Sequence, residues 1–210
     1  MQKPVMRIGA GASPGSHRVL EPLKPRLMDL LFDPIQVTML NNANVVETVA
    51  SIPRAGCMEV RQLYIAPGHS FFGRHGQTPA ENPIVEMAEL ECVAGRGLRG
   101  DRFFDYKENY KGQITFFAWE TYEAICLALA VRDKMPSTFR RNVITAGADL
   151  NELIGREFWV QGVHFRGTEE CRPCYWMDQA FAPGANEFLK GRGGLRAEIL
   201  SDGVLRAGAR

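Results

Sequence analysis

Arg196-Ala197-Glu198-Ile199-Leu200-Ser201-Asp202-Gly203-Val204-Leu205-Arg206-Ala207 reads as strand, turn, strand. Short apolar stretches flank Ser201-Asp202-Gly203, and an Asp-Gly pair supplies the positive φ that a tight hairpin turn demands. The expectation is a β-hairpin closing the chain. The same texture runs back through 163–167, 157–160, 141–144, 113–117, 84–93 and 60–65, all short segments rich in β-branched and aromatic residues. Few helices interrupt them. The clearest is 119–130, where Tyr122, Ile125, Cys126 and Leu129 form an i, i+3, i+4, i+7 stripe that assigns Cys126 to the core. A single helical turn is expected over 149–154, ended by Gly155, and one or two short helices over 174–189, divided by Pro183-Gly184. So many strands with so little helix predict a mainly β fold with a few short helices, arranged as a closed or nearly closed β-barrel that removes exposed strand edges.

Before the first convincing strand, at 59–66, the texture changes. Pro4, Pro14, Pro22 and Pro25 punctuate a stretch without clear periodicity, so residues 1–57 read as an irregular extension and 58–210 as the domain. Met58 abuts the first strand, and a translation start placed too far upstream would account for the leading segment. The apolar run 27–40 is broken by Asp29, Asp33, Pro34 and Gln36, too often for a membrane span. No membrane partner is expected.

At 210 residues with a net charge of +1, the chain has the length for one substantial core and no electrostatic case for nucleic acid. Five scattered cysteines do not suggest a disulfide framework, and the start lacks the pattern of a secretory signal. A reducing, cytoplasmic setting is expected.

Chemistry is expected at Cys171-Arg172-Pro173-Cys174. This spacing suits a redox dithiol, half of a zinc site, a thiolate held for a metal or a sulfur atom, or two inert core thiols. A thioredoxin-type domain needs several strands and a helix after the motif, and only a short stretch follows it. Zinc needs four ligands, yet Cys57, Cys92 and Cys126 stand singly. A lone thiolate is favoured if Cys174 opens a helix, because unpaired N–H groups and Arg172 would lower its pKa and Pro173 suits a first helical turn. Glu169 and Glu170 flank the pair as proton donors, provided burial raises a carboxyl pKa. His69 and His75 read as loop histidines and His164 as a strand residue.

Arg140-Arg141-Asn142 groups planar donors suited to a phosphate, or else forms a solvated basic edge. The glycine-rich run 95–101 lacks the lysine of a P-loop; Arg99 and Asp101 either order a pocket there or cap a turn. Gly191-Arg192-Gly193-Gly194 permits close approach of backbone to a ligand, or a bend.

Taken in order, Gly97-Leu98-Arg99-Gly100-Asp101-Arg102, Arg140-Arg141-Asn142-Val143-Ile144, Asp149-Leu150, Gly155, Thr168-Glu169, Pro173-Cys174 and Gly193-Gly194 resemble a MOSC domain. That domain is named for the C-terminal part of molybdenum cofactor sulfurases and occurs in stand-alone bacterial proteins. The resemblance spans roughly residues 59–210. It implies a β-barrel-rich fold whose cysteine, matched here by Cys174, either ligates molybdenum of a pyranopterin cofactor or carries sulfur. It also implies Glu169 as catalytic partner and Arg99, Asp101, Arg141, Asn142, Thr168, Gly193 and Gly194 at the cofactor, with Cys171 at most supporting.

The chain has no room for the desulfurase domain of full-length sulfurases, so pyridoxal phosphate is not expected. It also lacks the complete N-terminal barrel domain of amidoxime reductases, so their N-hydroxylated substrates do not transfer directly. Two classes remain: a molybdenum-dependent oxidoreductase or sulfur-transfer catalyst served by a redox partner protein, and a non-catalytic carrier receiving cofactor or sulfur from a donor.

Overall fold

The computed structural model describes residues 58–71, 74, 76–108 and 110–208. The expected extension 1–57, with Cys57 and the run 27–40, lies outside the described residues, as does His75.

Among the described residues, ten strands form two sheets. In chain order they are β1 (Glu59–Ile65), β2 (Val85–Met87), β3 (Glu89–Val93), β4 (Gly97–Leu98), β5 (Ile114–Ala118), β6 (Val143–Ala146), β7 (Glu157–Val160), β8 (Val163–Glu170), β9 (Leu195–Ile199) and β10 (Gly203–Arg206). The larger sheet is seven-stranded, ordered β2-β1-β6-β5-β9-β8-β7; the smaller is β10-β3-β4. The sheets are not closed into a barrel. The mainly β class holds, but the edges β2 and β7 stay open, and the smaller sheet covers one face of the larger in place of circular closure.

Alternation along the strands explains the layering. Phe116, Leu63 and Val143 face one side and join Leu90, Leu98, Phe158, Phe165 and Leu205 in a core between the sheets. Their neighbours Phe117, Tyr64 and Ile144 face the other side, under helices α1 (Trp119–Ala128), α2 (Trp176–Ala180) and α3 (Ala185–Phe188). The central strands are thus buried on both faces. Each fully buried phenylalanine contributes about 1.5–3 kcal/mol of apolar burial.

The expected closing hairpin is not formed. β9 pairs with β5 and β8, whereas β10 pairs with β3, so Ser201-Asp202-Gly203 carries the chain from one sheet to the other. Asp202 acts there by accepting a hydrogen bond from the Ala94 N–H at 2.7 Å. The two-residue turn with positive φ lies instead at Gln161-Gly162, φ 49° and 81°, joining β7 to β8. The single strand expected at 84–93 is two, broken at Ala88, with β2 on β1 and β3 in the small sheet.

Helix α1 ends at Ala128, and Ala130 takes φ 52°; Ile125 of its apolar stripe is fully buried. A 3-10 turn, Leu150–Leu153, capped by Asp149 and followed by Gly155 at φ 76°, occupies the predicted helical turn. Arg141 precedes β6 instead of opening it.

Candidate functional site

The cysteine loop connects the end of β8 to α2. Its first thiol, Cys171, is buried, and burial pushes its pKa up. Its backbone is fixed at both polar atoms: the N–H donates to Gly194 O at 2.8 Å and the carbonyl accepts from Arg141 Nη2 at 3.1 Å. Cys174 is exposed. It stands two residues before α2, which has only five residues, so the expected helix-opening position is not realised and little dipole reaches the sulfur. The Cys174 carbonyl does accept from Met177 N–H at 2.9 Å, which fixes the residue's backbone. The two thiols are therefore unequal. Among the described residues no three His, Cys, Asp or Glu side chains gather as metal ligands, which leaves a protein-only zinc site without donors.

Arg141 commits three of its five N–H donors to backbone carbonyls. Nη1 donates to Phe139 O at 2.7 Å, Nε to Gly193 O at 3.1 Å and Nη2 to Cys171 O at 3.1 Å, so one planar group ties three loops together. Asn142 is fully committed. Its Oδ1 accepts from Thr115 N–H and Oγ1, and its Nδ2 donates to Tyr64 O and to Asp101 Oδ2, which uses its full hydrogen-bonding capacity. Asp101, buried, also accepts from Ala66 N–H at 2.9 Å and Phe103 N–H at 3.0 Å.

Thr168 Oγ1 donates its one hydrogen to Lys111 O at 2.6 Å and lies 3.1 Å from Arg196 O. A β-carbon on Gly193 would lie 2.2 Å from Cys171 O, and one on Gly194, where φ is +99°, would lie 2.2 Å from Phe116 O. The close approach these glycines permit is to the protein's own backbone. Arg99 stands apart, paired with Glu91 on the small sheet at 2.6 Å.

Glu169 departs from its expected role. Lys111 Nζ sits 2.6 Å from its carboxylate and Arg196 Nε at 3.5 Å; the Lys111 hydrogen bond holds its pKa below the usual range. It is an ionised group and no proton donor at neutral pH. Glu170 Oε1 accepts from Gly193 N–H at 3.2 Å, another tie to the glycine loop. His69 packs edge-on to Phe103, and His164 lies flat on Trp159 at 4.2 Å.

Two residues outside the predicted set matter most. The Arg102 side chain is 14% exposed, and its charged partner among the described residues is Asp101, 3.6 Å away. Burial lowers its pKa, and the positive fields of Arg141 and Arg196 add to that. Arg196 Nε is buried without a hydrogen-bond partner. Arg140, behind them, is committed to Asn82 O and Gly68 O, and burial pushes it down to about 10. Four guanidinium groups thus stand near one buried carboxylate, Asp101, and the part-exposed Glu169 and Glu170. A buried charge lacking a partner is costly, and an anion would relieve it. The signal available in the sequence was Asp101-Arg102 after the glycine-rich run, although local sequence does not show that this arginine turns inward.

A separate cleft of about 360 Å³ lies beyond the ends of the parallel strands β5 and β6, lined by Glu120, Thr121, Asp149 and Arg192 among others; of the predicted site residues it includes only Gly194.

The molecule thus combines two packed sheets, an exposed cysteine on an anchored loop and a cluster of arginines near that loop. The chain belongs to the MOSC domain family, whose model matches residues 104–210. That family is associated with molybdenum cofactor binding. In fold the chain is similar to the YuaD protein from Bacillus subtilis, with TM-score 0.55, 23% identity and coverage of 72% of this chain and 92% of that one. It is likewise similar to YiiM from Geobacillus stearothermophilus, with TM-score 0.53, 13% identity and 72% of each chain covered. No curated protein matches. Among the described residues no helix is long and apolar enough to cross a membrane.

Proposed function

We propose that this chain binds a pyranopterin molybdenum cofactor, with Arg102 receiving its phosphate and Cys174 presenting a thiolate to the metal. The observation that carries the reading is the under-compensated Arg102 guanidinium, held among Arg140, Arg141 and Arg196 beside the cysteine loop. A phosphate matches that donor set in charge and in its demand for planar N–H groups. When bound, the group would supply two-electron redox chemistry at a sulfur-ligated metal. The protein's part is narrower. Arg102 and Arg196 neutralise the anion, Arg141 and the glycine pair fix the loop, and Cys174 offers a soft donor. Glu169, ionised, keeps Arg196 and Lys111 in place.

The exposure of Cys174 supports a second reading, sulfur carriage, since a partner enzyme can reach a persulfide there.

The test is metal and pterin analysis of anaerobically purified protein. One molybdenum per chain in the wild type, lost in both Cys174→Ser and Arg102→Ala, is the expected result. A labile persulfide on Cys174 without molybdenum would favour the carrier, and molybdenum retained by Arg102→Ala would remove the pocket from the site.

A further inference from the structure

Beside the arginine pocket stands a group of aromatic rings that no role so far has used. Phe103 and Tyr110 stack at 5.1 Å, and Tyr106 meets both, at 5.3 Å and 5.0 Å. Arg102 lies over the Phe103 ring at 4.6 Å, and Arg196 Nη1 donates to the Tyr110 hydroxyl at 3.3 Å. The cluster is therefore continuous with the cations. Gly112 makes room for it, since a β-carbon there would meet Arg196 Nη1 at 3.1 Å and Tyr110 Cε1 at 3.2 Å. Tyr106 nonetheless keeps 51% of its surface in water, a large ring held by ring contacts on one side and open on the other.

An aromatic ring left exposed against a cationic wall has a definite complement. Stacking rewards a planar π-system, and the excess of Arg102, Arg140, Arg141, Arg196 and Lys111 over Asp101, Glu169 and Glu170 rewards negative charge. We propose that Phe103, Tyr106 and Tyr110, with Arg196 at their edge, form a stacking subsite for a planar aromatic anion, in its simplest form an aryl carboxylate. The proposal rests on reading the adjoining pocket as an anion site, and it names the class of small molecule that would lie against it. Tyr106 carries the ring and Arg196 the carboxylate.

Calorimetric titration with 2-naphthoate tests this, using its saturated analogue decahydro-2-naphthoate and the neutral 2-naphthamide as controls. The wild type is expected to bind 2-naphthoate about tenfold more tightly than either, the range that one aromatic stack contributes. Tyr106→Ala, a change at an exposed position, is expected to erase the preference for the aromatic over the saturated acid. Equal affinity for the two acids in the wild type, or a preference indifferent to Tyr106→Ala, overturns the proposal. Inorganic phosphate, titrated in parallel, reports on the pocket: phosphate binding lost in Arg102→Ala sustains it. Failure of the naphthoate result with phosphate binding intact sinks the subsite alone, whereas absence of phosphate binding in the wild type sinks the pocket reading beneath it.

Discussion

Arg141 Nη2 holds the carbonyl oxygen of Cys171 at 3.1 Å while the other nitrogens of the same guanidinium hold Phe139 and Gly193. The arginine that its motif suggests as a phosphate ligand thus also acts as a strut under the cysteine loop, while Arg102 has Asp101, 3.6 Å away, as its charged partner among the described residues.

The two arginines are therefore expected to separate in mutants. Arg141→Ala should lower unfolding free energy by about 2–4 kcal/mol, because three hydrogen bonds from a charged group are lost and their carbonyls must find water. Arg102→Ala should cost less, since the 3.6 Å contact with Asp101 is lost while a buried, weakly compensated charge is removed, and it should weaken phosphate binding. Urea unfolding and phosphate titration of both variants check this; equal destabilisation by the two would refute the division.

Asp101 joins Ala66, Phe103, Asn142 and Arg102. Asp101→Ala is expected to cost about 3–5 kcal/mol, as it strands buried donors and the Arg102 charge together. Asp101→Asn should recover part of that loss by keeping an acceptor. Denaturant melts of the pair are the check, and identical losses would show that the hydrogen bonds contribute nothing beyond the charge.

Thiol reactivity should follow burial. Among the described cysteines, Cys174 is expected to be alkylated first by iodoacetamide at pH 7, with Cys171 and Cys92 both slow because burial raises their pKa, that of Cys92 to about 12. Peptide mapping over time reads the order directly. Comparable rates at Cys171 and Cys174 would restore the dithiol reading.

Glu169 predicts a pH dependence of definite sign. Its folded pKa lies below the ordinary carboxylate value, so its contribution to stability is fully present above that value and is lost as pH falls through the folded pKa. Glu169→Gln should flatten the acid limb of the stability profile and lower the neutral plateau by the same amount, a small one because the groups are part-exposed. An unchanged acid limb would show that the Lys111 contact adds nothing.

Gly194→Ala combines a forbidden contact with Phe116 O and a positive φ. It is expected to displace the glycine loop, unfold at markedly lower temperature and release the Cys171 N–H from Gly194 O; thermal melts that match the wild type would contradict this.

How much of this was legible in the sequence differs by kind of information. The strand positions were legible because alternation is local: 157–160 matches β7, and Phe116 and Phe117 face opposite cores as period two requires. Pairing was not, since Asp202-Gly203 signals a turn equally well whether the next strand folds back or crosses to another sheet. Cys171 and Cys174 were legible as a pair, but their opposite burial depends on Gly194 and Arg141, brought in from elsewhere in the chain. Arg141 and Asn142 were legible as planar donors, while their partners Gly193, Tyr64 and Asp101 lie far off in sequence. Arg102 was missed because an inward-turned charge resembles an outward one until the tertiary fold is known.

The passage of the chain from β9 to β10 across the two sheets also sets the order in which the domain can form. The small sheet is completed only when β10 reaches β3, with Arg206 opposite Glu89 and Gly203 opposite Cys92. That pairing closes a long loop, and such contacts slow folding because chain entropy is lost before the contact is gained. On the ribosome, β3 and β4 emerge well before their partner and wait with an unpaired edge. The apolar side chains of Leu90 and Leu98 stay without their cover from Leu205 for that interval, so this nascent chain has a built-in period of exposure that ends only when β10 arrives.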